Sequence, residues 1–139
     1  MIIRSYHDQD YPQVLKLYNQ NELYGGQFDK NRDSRKRLKD KILSDHESIL
    51  VAEDNKQIVG TVSIIDDGRV AWLFRFCVTN DQDKKIAEEL FNKARETLKK
   101  RGHKQVLVYS PTKIVRLSDR YEMLGFNKGN DYTCFWKDL

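Results

Sequence analysis

Hydrophobic and polar positions repeat with two different periods along this chain, and each change of period marks a change of secondary structure. The first residues, "IIRSY" (2–6), alternate in the way that a short β-strand does. A spacing of three and four then predicts a helix with Tyr11, Val14, Leu15 and Tyr18 on one face. After the break at Gly25 and Gly26, a second predicted helix has the inward residues Leu38, Ile42 and Leu43.

From Ser48 onward the period of the pattern becomes two. "SILVAED", "NKQIVGTVSII" and "RVAWLFRFCV" predict three strands joined by tight turns, which together form an antiparallel meander. The third strand is apolar on both faces, so we expect helices above and below it. Alternation predicts one face made of Val70, Trp72, Phe74, Phe76 and Val78. The opposite face is then predicted to carry Ala71, Leu73, Arg75 and Cys77.

The second half of the chain adds a crossover connection. A long amphipathic helix, which ends at Gly102, is predicted to bury Ile86, Ala87, Leu90, Phe91, Ala94 and Leu98. "KQVLVYS" follows as a strand, and a strand–helix–strand connection predicts that it pairs in parallel with the central strand. A shorter helix in "TKIVRLSDRYEMLGF" and a last strand in "DYTCFWK" complete the order.

The predicted order, β-α-α-β-β-β-α-β-α-β, defines the fold class as α/β (α+β). A length of 139 residues fits a single domain over residues 1–139. We expect a mixed, mostly antiparallel sheet of six to seven strands with a parallel central pair. Helices are expected on both faces of this sheet.

Composition and charge restrict the possible partners and functions only slightly. The chain has 25 Lys and Arg against 21 Asp and Glu, and its net charge of +4 suits an anionic partner without identifying one. Cys77 and Cys134 lie in apolar runs, which favours buried free thiols in a reducing compartment, the cytoplasm. No stretch approaches the roughly 18 apolar residues of a membrane span, so we expect no membrane partner. We expect a monomer or a homodimer.

Two stretches resemble motifs of a known family. "TNDQDKKIAEEL" (79–90) opens the long helix, and "RYEMLGF" (120–126) ends the shorter one. With the order of elements, they make nearly the whole chain resemble the GNAT superfamily of acetyl-CoA-dependent N-acetyltransferases. The family loop reads Gln or Arg, two residues, Gly, one residue, and Gly or Ala; Gln82, Lys85 and Ala87 stand at those positions, with lysine in place of the glycine. The later motif is matched closely by Tyr121, Glu122, Gly125 and Phe126.

The resemblance implies acetyl-CoA as the acyl donor, and we expect no metal. The pyrophosphate of the donor would lie at the start of the long helix, whose first N–H groups are unpaired and carry partial positive charge. The implied contacts are Gln82, Lys84, Lys85, Ile86 and Ala87. Another interpretation stays open, because Asp81 or Asp83 is suited to cap this helix and to compete for the same donors.

At the reacting end, the resemblance implies that the main chain of Phe76, Cys77 and Val78 holds the pantetheine. It also implies that Tyr121 donates a proton to the departing CoA thiolate, since a phenol stays protonated at neutral pH. The alternative is that Tyr121 is only a core aromatic, because it lies in an apolar stripe with Ile114, Leu117 and Leu124.

The acceptor is expected against the segment between the first two helices. Glu22, Tyr24 and Asp29 are candidates for holding a cationic amine, unless this segment is only a surface loop. Arg75 is a charge on an otherwise apolar strand and therefore needs a partner. That partner is either a carboxylate of the acceptor or an acid of the first helices.

The leading hypothesis is an enzyme that transfers an acetyl group from acetyl-CoA to a primary amine of a small molecule or protein. The alternative is a non-catalytic GNAT-like module that binds an acyl-CoA or a partner protein through a degenerate pyrophosphate loop. A nucleic-acid-binding domain ranks last, because the aromatic residues fall in core patterns rather than on a basic face.

Overall fold

The computed structural model describes residues 1–20, 22–80 and 84–139. Within these residues, one antiparallel sheet has the strand order β1-β2-β3-β4, with β1 Ile2–Ser5, β2 Ile49–Asp54, β3 Gln57–Asp66 and β4 Ala71–Val78. The predicted meander is confirmed. β2 and β3 meet in a tight turn because Asn55 and Lys56 both take a positive φ, which is the geometry that a two-residue hairpin needs.

Helices lie on both faces of this sheet, as expected. They are α1 Tyr11–Tyr18, α2 Arg35–Ser44, α3 Lys84–Lys100 and α4 Val115–Met123, with short 3₁₀ turns at Asp8–Asp10 and Glu22–Tyr24. α1 and α2 share a core that consists of Tyr6, Val14, Leu17, Tyr18, Leu38, Ile49, Val51, Ile58 and Cys77. α3 and α4 cover the opposite face in a larger core that includes Leu50, Val62, Ile64, Leu73, Phe76, Val78, Ile86, Leu90, Leu98, Leu117 and Tyr121. Across the described ranges, every helix is too short or too polar to cross a bilayer.

The sheet is smaller than the six to seven strands predicted. "KQVLVYS" contributes one parallel bridge to β4, in which Leu107 exchanges hydrogen bonds of 2.9 Å with the main chain of Ala71 and Leu73. The predicted parallel central pair is therefore reduced to this bridge.

The predicted last strand is also wrong. Residues 127–139, all of them described, contain neither helix nor strand, and the side chains of Tyr132, Phe135 and Trp136 are exposed. An alternating segment becomes a strand only beside a neighbour that offers a row of main-chain partners. The segment around Leu107 pairs at a single bridge and offers no such row.

α2 turns a narrower face inward than the sequence predicted. Leu38 is buried and Ile42 is half-buried, but Leu43 is 77% exposed. Leu38 and Ile42 are four residues apart and lie one above the other on the helix, whereas Leu43 is rotated by about 100° from Ile42. The prediction that Leu43 faces the core is therefore wrong.

Two leucine substitutions in the same helix test this assignment. Leu38→Ala removes buried methyl groups, so we expect the free energy of unfolding to fall by about 2–4 kcal/mol. Leu43→Ala is the matched control and is expected to change that free energy by less than about 0.5 kcal/mol. Urea denaturation of both variants measures the difference, and equal losses would contradict the observed orientation of α2.

Candidate active site

A bulge in β4 shapes the candidate active site. Thr61 of β3 pairs with Cys77, but Ser63 pairs with Phe74, so β4 carries one residue more than its partner over this interval. Arg75 has a φ of +50°, which marks it as the residue that departs from regular strand geometry. Strand bulges re-aim the side chains that follow them.

The bulge overturns the predicted alternation of β4. Phe76 and Val78 lie in the same core as Ala71 and Leu73, under α3 and α4, and Cys77 lies in the core under α1. Strict alternation had predicted that Phe76 and Val78 share a face with Trp72 and Phe74. The extra residue reverses the parity of every position after it, which is why that prediction fails.

Beyond the bulge, side chains rather than a neighbouring strand bind the edge of β4. The carbonyl oxygen of Phe76 accepts a hydrogen bond of 2.9 Å from Nη2 of Arg120, and the carbonyl oxygen of Val78 accepts one from Nε2 of Gln20. The parallel bridge at Leu107 lies before the bulge, beside Trp72. Phe76, Cys77 and Val78 thus lie beyond the parallel bridge to Leu107, while Cys77 and Val78 still pair with β3 on the other edge, and all three side chains are buried.

Tyr121 lies on α4 directly beside this edge. Its ring packs 6.2 Å from the ring of Phe76 and 5.7 Å from the ring of Phe126, measured between centroids. Its phenol oxygen lies 3.2 Å from Nη2 of Arg120, the same nitrogen that binds the Phe76 carbonyl. The ring of Tyr121 therefore belongs to the core, while its hydroxyl belongs to a polar cluster at the edge of β4.

Gly25 and Gly26 bring the segment after α1 against β4. Gly25 has a φ of +87°, and a Cβ atom at this residue would overlap the carbonyl oxygen of Phe76. A Cβ atom at Gly26 would overlap the main chain of Gln20. Sγ of Cys77 donates to the carbonyl oxygen of Gly25 at 2.8 Å. The two glycines, which the sequence marked only as a helix break, permit this close approach.

Arg75 is paired with an acid that precedes α2. Its Nε lies 3.0 Å from both carboxylate oxygens of Asp33, and its Nη2 lies 2.9 Å from Oδ2. Its Nη1 donates to Oε1 of Gln27 at 2.7 Å, and its guanidinium lies over the ring of Phe74 at 4.3 Å. Both charged side chains are buried. The sequence left two possible partners for Arg75, a carboxylate of the acceptor or an acid of the first helices. The structure pairs it with Asp33, an acid close to the first helices.

The other acceptor candidates lie on the same segment but further toward solvent. Glu22 is exposed, and Tyr24 and Asp29 are half-buried. The hydrogen bond from the Asn31 amide lowers the pKa of Asp29 from its usual value, so its carboxylate is charged at neutral pH. No group of His, Cys, Asp or Glu side chains within the described ranges is arranged to hold a metal ion.

The start of α3 lies at a cavity of about 420 Å³. The lining residues are Met1, Asp54, Val59, Thr79, Asn80, Lys85 and Ile86. Lys84 and Lys85 are exposed at the first turn, whereas Ile86 and Ala87 are buried in the core. Gln82, Asp81 and Asp83, to which the sequence assigned a contact or a cap, lie outside the described residues.

Comparison with known proteins identifies the family. The sequence matches the family described as "Acetyltransferase (GNAT) domain" over residues 7–135. The chain belongs to the GNAT acetyltransferase family. No curated protein matches this GNAT chain in sequence.

Solved structures share the GNAT fold at low identity. A ribosomal-protein-alanine N-acetyltransferase from Brucella melitensis has a TM-score of 0.73 at 20% identity, covering 94% of this chain and 86% of that one. An aminoglycoside 6′-N-acetyltransferase from Acinetobacter haemolyticus has a TM-score of 0.72 at 17% identity, covering 100% and 99%. The PaiA N-acetyltransferase from Thermoplasma acidophilum, solved with coenzyme A, has a TM-score of 0.71 at 20% identity, covering 88% and 87%.

Several residues of the site were not predicted from the sequence of this GNAT chain. They are Gln20, Gly25, Asp33 and Arg120. A signal existed for Arg120, because it lies three residues after Leu117 and next to Tyr121, on the flank of an apolar helical stripe. A charge at that point of an amphipathic helix indicates a buried partner.

The ion pair of Arg75 is expected to dominate the stability of the bulge. Arg75→Met leaves the Asp33 carboxylate buried without its cation, so we expect the free energy of unfolding to fall by about 3–5 kcal/mol. Arg69→Met is the control, because Arg69 pairs with Asp67 at the surface, and a loss of less than about 1 kcal/mol is expected. Urea denaturation measures both values. A small loss for Arg75→Met would show that the bulge does not depend on this pair.

The two cysteines are expected to differ in reactivity. Burial raises the pKa of Cys77 to about 12, so its thiol stays protonated at pH 8, and the thiolate is the reactive form. Cys134 is exposed, contrary to the prediction that both thiols are buried. A colorimetric thiol reagent at pH 8 should therefore modify one thiol per native chain and the second only in denaturant. Rapid labelling of a Cys134→Ser variant would contradict this assignment.

Proposed function

We propose that this protein is an N-acetyltransferase that moves an acetyl group from acetyl-CoA to a primary amine of a small molecule or protein. The amine attacks the thioester directly, and Tyr121 is the general acid for the CoA thiolate. Membership of the GNAT acetyltransferase family supports the class of reaction.

The position of the Tyr121 hydroxyl is the observation that carries this proposal. One nitrogen of Arg120 lies 2.9 Å from the Phe76 carbonyl oxygen and 3.2 Å from the Tyr121 oxygen. The phenol is therefore held beside the edge of β4 at Phe76, beyond the parallel bridge to Leu107. A thioester that extends along this edge would bring its sulfur close to the phenol.

The start of α3 is the proposed site of the donor's pyrophosphate. Main-chain N–H groups of the first turn, at Lys84, Lys85, Ile86 and Ala87, supply donors for an anion, and the two lysine ammonium groups add charge. Gln82 is included in this proposal on the basis of the family motif. The coenzyme A complex of the structurally similar PaiA acetyltransferase supports an acyl donor of the CoA type.

The proposed reaction balances without a metal or a redox step. A bond forms between the amine nitrogen and the acyl carbon, and the bond between that carbon and sulfur breaks. The sulfur leaves with the electron pair and takes the proton of Tyr121. The nitrogen releases its own proton to water, and the phenolate regains a proton from solvent.

We propose that Glu22, Tyr24 and Asp29 line the acceptor side. Two carboxylates and a phenol along one segment favour a cationic amine, and the Asp29 carboxylate is charged at neutral pH. Arg75 contributes to this site indirectly, through its ion pair with Asp33. Oδ2 of Asp33 also accepts a hydrogen bond of 2.8 Å from the Asp29 amide. The arginine thereby fixes the segment that carries the acceptor residues.

A non-catalytic acyl-CoA-binding or protein-interaction module is the second candidate. The observation in its favour is that the carbonyl oxygens of Phe76 and Val78 already accept hydrogen bonds from Arg120 and Gln20. Calorimetric titration with acetyl-CoA, combined with a turnover assay, separates the candidates. Binding with release of free CoA in the presence of an amine supports the enzyme, and binding without release supports the module.

The turnover assay needs a defined set of acceptors. An aminoglycoside, a peptide with an N-terminal alanine and a simple diamine represent three classes of primary amine. Released CoA is detected with a thiol reagent, and the acetylated product is confirmed by its mass. Failure of acetyl-CoA to bind in the calorimeter would overturn both the enzyme and the acyl-CoA-binding module.

A conservative change at Tyr121 tests the general acid. Tyr121→Phe keeps the ring in the core and removes only the hydroxyl, so we expect kcat to fall about 100-fold with little change in the KM for acetyl-CoA. Tyr109→Phe is the control, because Tyr109 is an exposed tyrosine. An unchanged kcat for Tyr121→Phe, measured with the best acceptor of the set, would rule out the general-acid role.

A further inference from the structure

Arg120 is a buried cation at the centre of the candidate site. It immediately precedes Tyr121 on α4, and only 5% of its surface is exposed. Burying a guanidinium is costly, and apolar side chains of similar volume often serve stability at least as well. The contacts of Arg120 therefore indicate what the charge does for the protein beyond stabilising its fold.

Those contacts join two parts of the site. Nη2 donates to the Phe76 carbonyl oxygen at 2.9 Å and to the Tyr121 oxygen at 3.2 Å. The guanidinium also lies over the rings of Phe76 and Tyr121, at 4.8 Å and 5.1 Å from their centroids. A Cβ atom at Gly25 would lie 3.4 Å from the same nitrogen, so the segment after α1 packs against this cluster.

The direction of the second hydrogen bond follows from chemistry. A guanidinium has donors and no acceptor, so the Tyr121 oxygen is the acceptor in this contact. The phenolic proton is therefore directed away from Arg120. A phenol in this orientation donates its proton to a group other than Arg120, and a phenolate that forms there lies next to a positive charge.

We propose that Arg120 is the positioning residue for Tyr121: it fixes the phenol against the edge of β4 and directs its proton toward the leaving sulfur. This inference rests on the proposed acetyltransferase function. In the transfer step, carbon–nitrogen bond formation and carbon–sulfur cleavage leave a thiolate, which takes the phenolic proton. Arg120 stays protonated throughout and stabilises the phenolate until solvent restores its proton.

Lysine at this position would supply charge but not the same geometry. One planar nitrogen of arginine serves both the carbonyl and the phenol, whereas the lysine ammonium lies at the end of a flexible stem. Arg120→Lys is therefore expected to retain part of the function, and Arg120→Leu to lose it. The graded series separates positioning from a purely structural need for a large side chain.

The first test is independent of turnover. Protein labelled with ¹³C at Cζ of tyrosine gives one NMR signal per tyrosine, and the signal that is missing in Tyr121→Phe belongs to Tyr121. We expect this signal to move in Arg120→Leu and to stay in place in Arg69→Leu, which removes an exposed arginine of the β3–β4 turn. An unmoved Tyr121 signal in Arg120→Leu would overturn the contact and the proposal.

The second test is a double-mutant cycle in the acetyl-CoA assay with the best acceptor of the set. Arg120→Leu is expected to lower kcat about 10-fold or more, with a KM for acetyl-CoA within about threefold of the original protein, and Arg120→Lys is expected to recover part of kcat. In a Tyr121→Phe background, the same Arg120→Leu change should cost less than about threefold in kcat.

The outcomes of this cycle distinguish the two proposals. If Tyr121→Phe lowers kcat, and Arg120→Leu lowers kcat by the same factor in the original protein and in the Tyr121→Phe background, the positioning role is wrong and the proposed function stands. If Tyr121→Phe keeps its full rate, the general-acid assignment and the positioning role both fall. If Arg120→Leu fails to fold, the lysine variant decides, since full kcat in Arg120→Lys with an unmoved Tyr121 signal contradicts the need for arginine geometry.

Discussion

The ion pair between Arg75 and Asp33 is the contact on which the rest of the structure depends. A positive φ is unfavourable for a residue with a long side chain, and a buried guanidinium is unfavourable unless it is paired. Asp33 offsets both costs at once, because it neutralises the charge and fixes the direction in which residue 75 points. Since Asp33 is followed by Ser34, the N-cap of α2, the same contact also connects the start of α2 to the central strand.

The bulge at Arg75 also creates the polar cluster of the candidate site. Beyond the bulge, the carbonyl groups of Phe76 and Val78 need partners that the parallel segment at Leu107 does not supply. Arg120 binds the Phe76 carbonyl from α4, and Gln20 binds the Val78 carbonyl from the end of α1. Groups from both helical layers therefore converge on one short stretch of strand. At Phe76 this convergence places a phenol, a main-chain carbonyl and a guanidinium together at the border of the apolar core.

Short sequence patterns predicted turns and helices well. The features that they did not predict depend on contacts between residues that are distant in the sequence. The tight turn at Asn55 and Lys56 follows from adjacent residues, and Tyr121 was selected as a candidate because its motif is contiguous. The bulge at Arg75 was not visible, because β4 is apolar on both faces and the pattern favours neither register. Asp33 and Arg120 contact β4 across 42 and 44 residues of sequence, so no short motif contains both partners. The same limit explains the missing last strand, since alternation describes a segment but not the neighbour with which it pairs.

The first turn of α3 bears on the proposed pyrophosphate site, because lysine stands there in place of the family's glycine. Lys85 stands where the family has glycine, but its side chain is exposed, whereas Ile86 is buried against β3. The close approach of helix and sheet depends instead on Gly60, where a Cβ atom would lie 2.8 Å from side-chain atoms of Ile86 and Leu90. Lysines at a helix N-terminus oppose the macrodipole, and a bound anion relieves that repulsion. We therefore propose that Lys84 and Lys85 favour a pyrophosphate, which carries more charge than one carboxylate, over an aspartate cap in the competition for the same N–H donors.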